Sequence, residues 1–355
     1  MNRRKALGVI AGTAATAIFG GRLNVLGQSS TQRSQMGMVA YALGIHRRNN
    51  WAGRHKGLSP ALALLEESYR LGAGGIQVDL KDSDAPHLNE LRQRANRYGM
   101  HMEALIQSPK SETDVERFEQ AIRYAKQAGM RIARTVIIPG RRYERFQTLE
   151  EFREFEKRGE LSLQWVEPIL KRHRFRLAIE NHKDQRTWER LALLERISSE
   201  YIGMCVDVGN SFALMEDALE AVRLFAPWAF TVQIKDQAIR EHEEGFWLAD
   251  VPLGDGFLKL PAMVKVLQKA NPSIHFYYES ITRDPISLPI HTDGFWSTMA
   301  DTPATELVRT LRILKNQSYP VPFPLVTQLS PDEQMALENE GVVRSLKYAV
   351  EVLGL

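Results

Sequence analysis

Four short stretches carry side chains able to do chemistry: "IENH" (179–182), "CVDVGN" (205–210), "QIKD" (233–236) and "YES" (278–280). Each closes a run that reads as buried β-structure, and each places an oxygen-bearing side chain there: Glu180, Asp207, Gln233 and Glu279. Side chains along a strand alternate between its two faces. On that period Glu180 goes with Ala178 and His182, Asp207 with Cys205 and Gly209, Gln233 with Thr231 and Lys235, and Glu279 with Tyr277. In every case the most apolar positions take the opposite face. If the four strands share an inner surface, three carboxylates converge where charge is penalised unless a cation or a proton compensates them. A divalent metal would do so. Ligands that are all oxygen suit Mn2+ or Mg2+ better than zinc, with His182 nearby as a nitrogen donor.

The elements that must position these residues follow from periodicity. Eight β-like runs lie at 37–44, 74–80, 101–107, 131–138, 175–181, 202–209, 230–236 and 275–281, separated by amphipathic segments. Strands alternating with helices predict parallel βα units, and eight of them predict a (β/α)8 TIM barrel over residues 37–315. A doubly wound open sheet is the alternative, but no Gly-rich phosphate turn follows the first strand. Ser59 and Pro60 predict a helix start and Gly72 its end; Ser111 and Gly129 bracket a second helix. Further helices are expected in "TWERLALLERISS", "MEDALEAVRLFA", "LPAMVKVLQKA" and "ATELVRTLRIL". The stretch 251–260 reads as a glycine turn with no catalytic part. Residues 282–303 form a Pro- and aromatic-rich insertion where a barrel carries active-site loops, so Arg283, His291 and Trp296 are expected to close the site. Residues 316–355 form an extension whose capped helix breaks near Gly341 and packs across the barrel or on a partner subunit. Asp79, Glu103 and Arg134 also fall at lumen phase and read as a structural salt-bridge network first and as substrate contacts second.

The order Glu, Asp, polar ligand and Glu on strands five to eight resembles the xylose isomerase-like barrels. These include sugar-phosphate isomerases and epimerases, D-tagatose 3-epimerase-like enzymes, hydroxypyruvate isomerase, inosose and dehydroshikimate dehydratases, and apurinic endonucleases. Glu180, Asp207 and Glu279 match the family's metal carboxylates, which makes Glu180, Asp207, Gln233 and Glu279 the implied ligand set. Gln233 departs from the "His-x-Lys-Asp" run of many members; glutamine there resembles some dehydroshikimate dehydratases and speaks against the multi-zinc endonucleases. The resemblance implies proton removal beside a carbonyl, with Glu180 and Glu279 as base and acid and an enediolate stabilised by the metal. His182 and Lys235 would bind hydroxyls or the oxyanion, with Arg283 and Trp296 completing the substrate contacts. A sugar isomerase or epimerase is the first reading. A lyase or dehydratase expelling a β-leaving group is the second, and a non-catalytic carbohydrate-binding barrel, which needs no paired acid and base, is the third.

Composition is that of a globular protein, 44% hydrophobic and 25% charged over 355 residues. The lone Cys205 excludes an intramolecular disulfide and a zinc site of several thiolates. Residues 1–30 have the make-up of an export signal, and Arg3-Arg4 resembles a twin-arginine motif, implying a periplasmic or otherwise exported enzyme. The apolar run is too short for a stable membrane span. Residues 1–30 hold Arg3, Arg4, Lys5 and Arg22 and no acid, so their removal takes the net charge from +3 to −1. No basic patch points to nucleic acid. Export favours a neutral sugar or glycoside derivative over a phosphorylated substrate.

Overall fold

The computed structural model describes residues 33–138 and 140–355, of which Arg33–Leu355 form one compact unit. The export signal expected at 1–30 lies outside the described residues. Eight parallel strands close into a barrel: β1 (Gly37–Val39), β2 (Gly75–Val78), β3 (His101–Leu105), β4 (Ile132–Thr135), β5 (Arg176–Glu180), β6 (Ile202–Asp207), β7 (Ala229–Ile234) and β10 (Phe276–Tyr278). All eight expected runs are present, trimmed mostly at their ends. β10 pairs with both β1 and β7, which closes the ring.

The helices form for local reasons. Ser59 caps Pro60–Leu71 by accepting from the Leu62 N–H, and Gly72 ends it at φ 93°, a left-handed conformation that suits glycine. The helix expected from Ser111 begins with a 3-10 turn at Glu112–Asp114 and continues as Val115–Gln127. Two helices that the sequence reading did not single out, Leu88–Tyr98 and the 25-residue Leu149–His173, complete the outer layer. The C-terminal helix Pro331–Tyr348 runs unbroken through Gly341, contrary to the break expected there. It packs on its own barrel: Glu338 accepts from the Ile45 and His46 N–H groups at 2.8 and 2.9 Å, and Ser345 Oγ accepts from Leu253 N–H at 3.1 Å. Among the described residues no helix is long and apolar enough to cross a membrane.

Register delivers the functional residues. Asp207 pairs with Gln233 across β6–β7, Gln233 with Tyr277 across β7–β10, and Glu180 with Cys205 across β5–β6. A register shift at Met204/Cys205 precedes Asp207 and sets that pairing. The lumen also needs room for large side chains: a Cβ on Gly37 would lie 2.5 Å from the Tyr277 ring.

A second sheet was not foreseen. β8 (Asp236–His242) and β9 (Gly245–Val251) form an antiparallel hairpin directly after β7, and β11 (Ile286–Leu288) from the insertion joins its edge. Its apolar face, with Ile239, Phe246, Leu248, Ile286 and Leu288, makes a smaller core with Phe212 and Phe295. The hairpin is fastened to the barrel by Asp236, whose carboxylate accepts backbone N–H groups of Gln237, Gly254, Gly256 and Leu258 at 2.9 to 3.2 Å. A Cβ on Gly256 would meet Asp236 Oδ1 at 2.1 Å, so the turn requires glycine there. Truncation Asp236→Ala leaves these donors without their acceptor and is expected to cost about 3 kcal/mol in urea unfolding; a loss below half of that would show the turn to be held by other contacts.

Candidate active site

The expected ligand residues do gather at the C-terminal end of the barrel, all of them buried. Lys235 stands among them. Its Nζ lies 2.8 Å from Asp207 Oδ2 and also pairs with Glu279 Oε2. Gly209 leaves the stem its space, since a Cβ there would come within 3.2 Å of Lys235 Cγ. Burial pushes the Lys235 ammonium toward neutrality, but Asp207 and Glu279 outweigh it and hold the proton on. Burial likewise raises Asp207, to about 6, against the pull of Lys235. For Glu279 burial acts upward too, yet Lys235 prevails and keeps the carboxyl below its ordinary value. Asp207 Oδ1 accepts from the Gly209 and Asn210 N–H groups, both at 2.9 Å, and Asn181 holds the Asp207 backbone through two 2.8 Å bonds.

Glu180 is compensated separately. Arg134 pairs with its Oε2 and Asn210 Nδ2 donates to its Oε1 at 3.0 Å. Arg134 therefore does more than belong to a remote salt-bridge network. Gln233 Nε2 donates to Gln77 Oε1 at 2.7 Å and Gln77 Nε2 to Glu103 Oε2 at 3.1 Å, a hydrogen-bonded chain of side chains across the lumen. Asp79 is not part of it; partly exposed, it pairs with Arg47 and Lys81.

Above the carboxylates opens a cavity of about 220 Å3 lined by Gly140, Arg141, Glu144, His182, Lys183, Lys235, Glu279, Ile281 and Arg283. His182 Nδ1 donates to Gly140 O at 3.0 Å, since a carbonyl partner can only accept. Burial of the ring, then Lys183, Arg134 and Lys235, keep this imidazole neutral. Arg283 reaches Asp250 Oδ2 of β9 at 3.5 Å. Glu279 lines the cavity and Glu180 does not, so the two carboxylates expected to flank a substrate are unequally placed. Trp296 and His291 lie outside the lining. The Trp296 indole N–H donates to Ile290 O at 2.8 Å and the ring packs edge-on against Phe295, while His291 bonds Glu243 O at 3.1 Å. The insertion is thus a wall, pinned by Arg142 Nε to Thr298 Oγ1 at 3.0 Å, and not an aromatic platform. Lys183, Asn210, Arg141 and Asp250 were missed by sequence reasoning. Lys183 directly follows the β5 motif and Asn210 is the last residue of the β6 motif, so both carried a positional signal; Asp250 lies on the unforeseen hairpin and carried none.

Gln233 Oε1 is a buried oxygen that no hydrogen bond reaches, while Asp207 Oδ2 and Glu279 Oε2 face the Lys235 ammonium; all three are hard donors, which fits Mg2+ or Mn2+. As the side chains stand, no three His, Cys, Asp or Glu groups among the described residues are close enough to grip a metal. Lysine and metal therefore address the same carboxylate pair. Substituting Lys235→Met leaves two buried charges facing each other, which is expected to lower stability by about 3–5 kcal/mol. Saturating Mn2+ should recover part of that loss in thermal unfolding, and an equal melting point with and without Mn2+ would remove the cation from this site.

Residues 65–315 match the family described as xylose isomerase-like TIM barrel. A 3-oxo-isoapionate decarboxylase of Pectobacterium atrosepticum is 26% identical over 60% of this chain and 74% of that protein. Among solved structures, an L-ribulose 3-epimerase superposes with a TM-score of 0.55 at 16% identity, covering 91% of this chain and 98% of that one. The probable 3-DHS dehydratase AsbF of Bacillus anthracis gives 0.52 at 13% identity, covering 79% and 98%. At these identities the superpositions show the fold alone. With the family match spanning most of the barrel, the chain belongs to the xylose isomerase-like TIM-barrel family.

Proposed function

We propose that the protein is an enolising isomerase: it removes a proton beside the carbonyl of a keto-sugar or related polyol and returns it through an enediolate. The observation that supports this most directly is the contact between Glu279, the carboxylate lining the cavity, and Lys235, an ammonium reaching the same space. A carboxylate held below its ordinary pKa is unprotonated and available as base, while the fixed Lys235 charge stabilises the oxyanion that forms as the proton leaves. His182, neutral, is placed to bond a substrate hydroxyl. A divalent metal held by Asp207, Gln233 and Glu279, with Glu180 beside them, would when bound polarise the carbonyl as a Lewis acid. Glu180, tied to Arg134 and Asn210, is held out of the cavity lining.

This asymmetry ranks the outcomes. Epimerisation needs proton transfer on two faces of one carbon, whereas a 1,2 proton shift along one face needs a single base. Of the two strand-end carboxylates expected as base and acid, Glu279 alone lines the cavity, and the other lining carboxylate, Glu144, pairs with Arg141, which favours the shift over epimerisation. The same one-base geometry also serves a lyase, in which the enolate expels a β-group, and the decarboxylase relative supports keeping that second reading.

Incubating the protein with Mn2+ and a panel of ketoses and keto acids in D2O, followed by NMR, separates these. Deuterium at a carbon-bound position in a retained skeleton is the expected result. Inversion without carbonyl shift would mean epimerase, and an unsaturated or shortened product would mean lyase. The variant Glu279→Gln should slow exchange about 10²- to 10⁴-fold, Glu180→Gln less; undiminished exchange in Glu279→Gln would overturn the assignment.

A further inference from the structure

Among the described residues, Lys183 is the buried basic side chain that meets no carboxylate within salt-bridge distance. Six Lys and Arg side chains are buried among the described residues: Arg134, Arg142, Lys183, Arg186, Arg190 and Lys235. Five pair with carboxylates, respectively Glu180, Glu189, Glu306, Asp184, and the Asp207–Glu279 pair for Lys235. Lys183, 3% exposed, has no carboxylate within salt-bridge distance, and its Nζ donates to the neutral Asn210 Oδ1 alone. An ammonium carries three donors, so at least two point elsewhere. Burying a charge without a counter-charge is costly, and here burial, with Lys235 and Arg283 beside it, lowers the Lys183 ammonium to about 7, so that an anionic ligand is the partner that would hold its proton on. Lys183 lines the cavity over Glu279 and Lys235, and four cations, Arg141, Lys183, Lys235 and Arg283, border it against two carboxylates, Glu144 and Glu279. Arg141 and Lys235 are occupied by those two, and Arg283 leans on Asp250 at 3.5 Å, outside hydrogen-bond reach.

We infer that the cavity takes an anionic substrate whose carboxylate binds Lys183, with Arg283 at the rim, making the substrate class a keto-sugar acid. The inference rests on the enolisation reading and specifies its substrate. The neutral sugar expected from the sequence lacks the group that Lys183 requires. A carboxylate suits the site better than a phosphate because one ammonium and one rim guanidinium converge there with no Gly-rich turn of backbone donors to surround a dianion. Held at Lys183, the acid end would leave the carbons next to it over Lys235 and Glu279.

The test is isothermal titration of the full chain with matched ligands: 5-keto-D-gluconate, D-fructose and D-fructose 6-phosphate. The acid is expected to bind at least tenfold more tightly than fructose, with an affinity that falls as NaCl rises while that for fructose does not. Lys183→Met should abolish the preference, and Lys183→Arg should retain it. Should Lys183→Met fail to fold, the salt dependence and the arginine variant decide. Equal binding of acid and fructose, no binding of the acid, or a preference surviving in Lys183→Met overturns the inference, and tighter binding of the phosphate ester overturns the carboxylate assignment. Deuterium exchange from fructose without acid preference would keep the enolisation reading and remove this one; acid preference with no exchange from any ligand would do the reverse.

Discussion

The ion pairing of Lys235 with Asp207 and Glu279 is the interaction on which the barrel's upper half depends. Two carboxylates at 1% and 5% exposure cannot both remain ionised without a nearby cation. The strand register supplies one. Asp207 is level with Gln233, so Lys235, two residues on and on the same face, rises beside the Asp207 carboxylate. Glu279 follows β10 and is fixed by its own N–H to Ile234 O at 2.9 Å, which brings it to the other side of the same ammonium. Three consecutive strands are thereby joined at their ends by charge as well as by backbone bonds.

The lumen is layered as a result. The Gln233–Gln77–Glu103 chain and the His101–Tyr277 bond at 2.8 Å cross the lumen and leave Gln233 Oε1 and Glu103 Oε1 without a hydrogen-bond partner. The middle layer holds charges balanced by the protein's own ions: Arg134 on Glu180 and Lys235 on Asp207 and Glu279. At the top, balance fails at Lys183, the layer open to a ligand. Glu279 and Lys235 belong to both the middle layer and the cavity wall, and so stand where chemistry can reach a substrate. The β8–β9 hairpin contributes Asp250, which pairs with the lining residue Arg283 and which burial drives upward but Lys235, Arg283 and Lys183 hold below its ordinary value.

Strand period made the barrel and its four polar strand ends legible. A period of two assigns a face, and each of Glu180, Asp207, Gln233 and Glu279 is on the face assigned to it. Face is not height, however, and alternation alone could not say that Lys235 would reach both carboxylates while Glu180 stopped short of the cavity. That depends on the register shift in β6 and on Arg134 arriving from β4. The hairpin escaped notice because "FWLADV" runs directly into the glycine turn at 254–256 and reads as its approach; its pairing partner fixes it as a strand. Trp296 misled for a physical reason too. An aromatic in a loop above a barrel suits a sugar face, but an indole with a carbonyl for its N–H and Phe295 for its ring is already satisfied by the protein.

The unequal standing of Glu180 and Glu279 bears on how this scaffold can diverge. Both are buried strand-end carboxylates in equivalent βα units, so the difference between them comes from their partners. Glu180 is enclosed by a guanidinium and an amide that both belong to the protein, which fixes its charge and removes its oxygens from the cavity. Glu279 shares a lysine with Asp207 and keeps an oxygen on the cavity wall. Exchanging the second-strand partner of one carboxylate therefore changes how many proton-transfer groups face the substrate without moving a strand. In this chain Arg134 of β4 and Lys235, just after β7, leave Glu279 as the strand-end carboxylate on the cavity wall, with the rim residues Arg141, Lys183 and Arg283 around it.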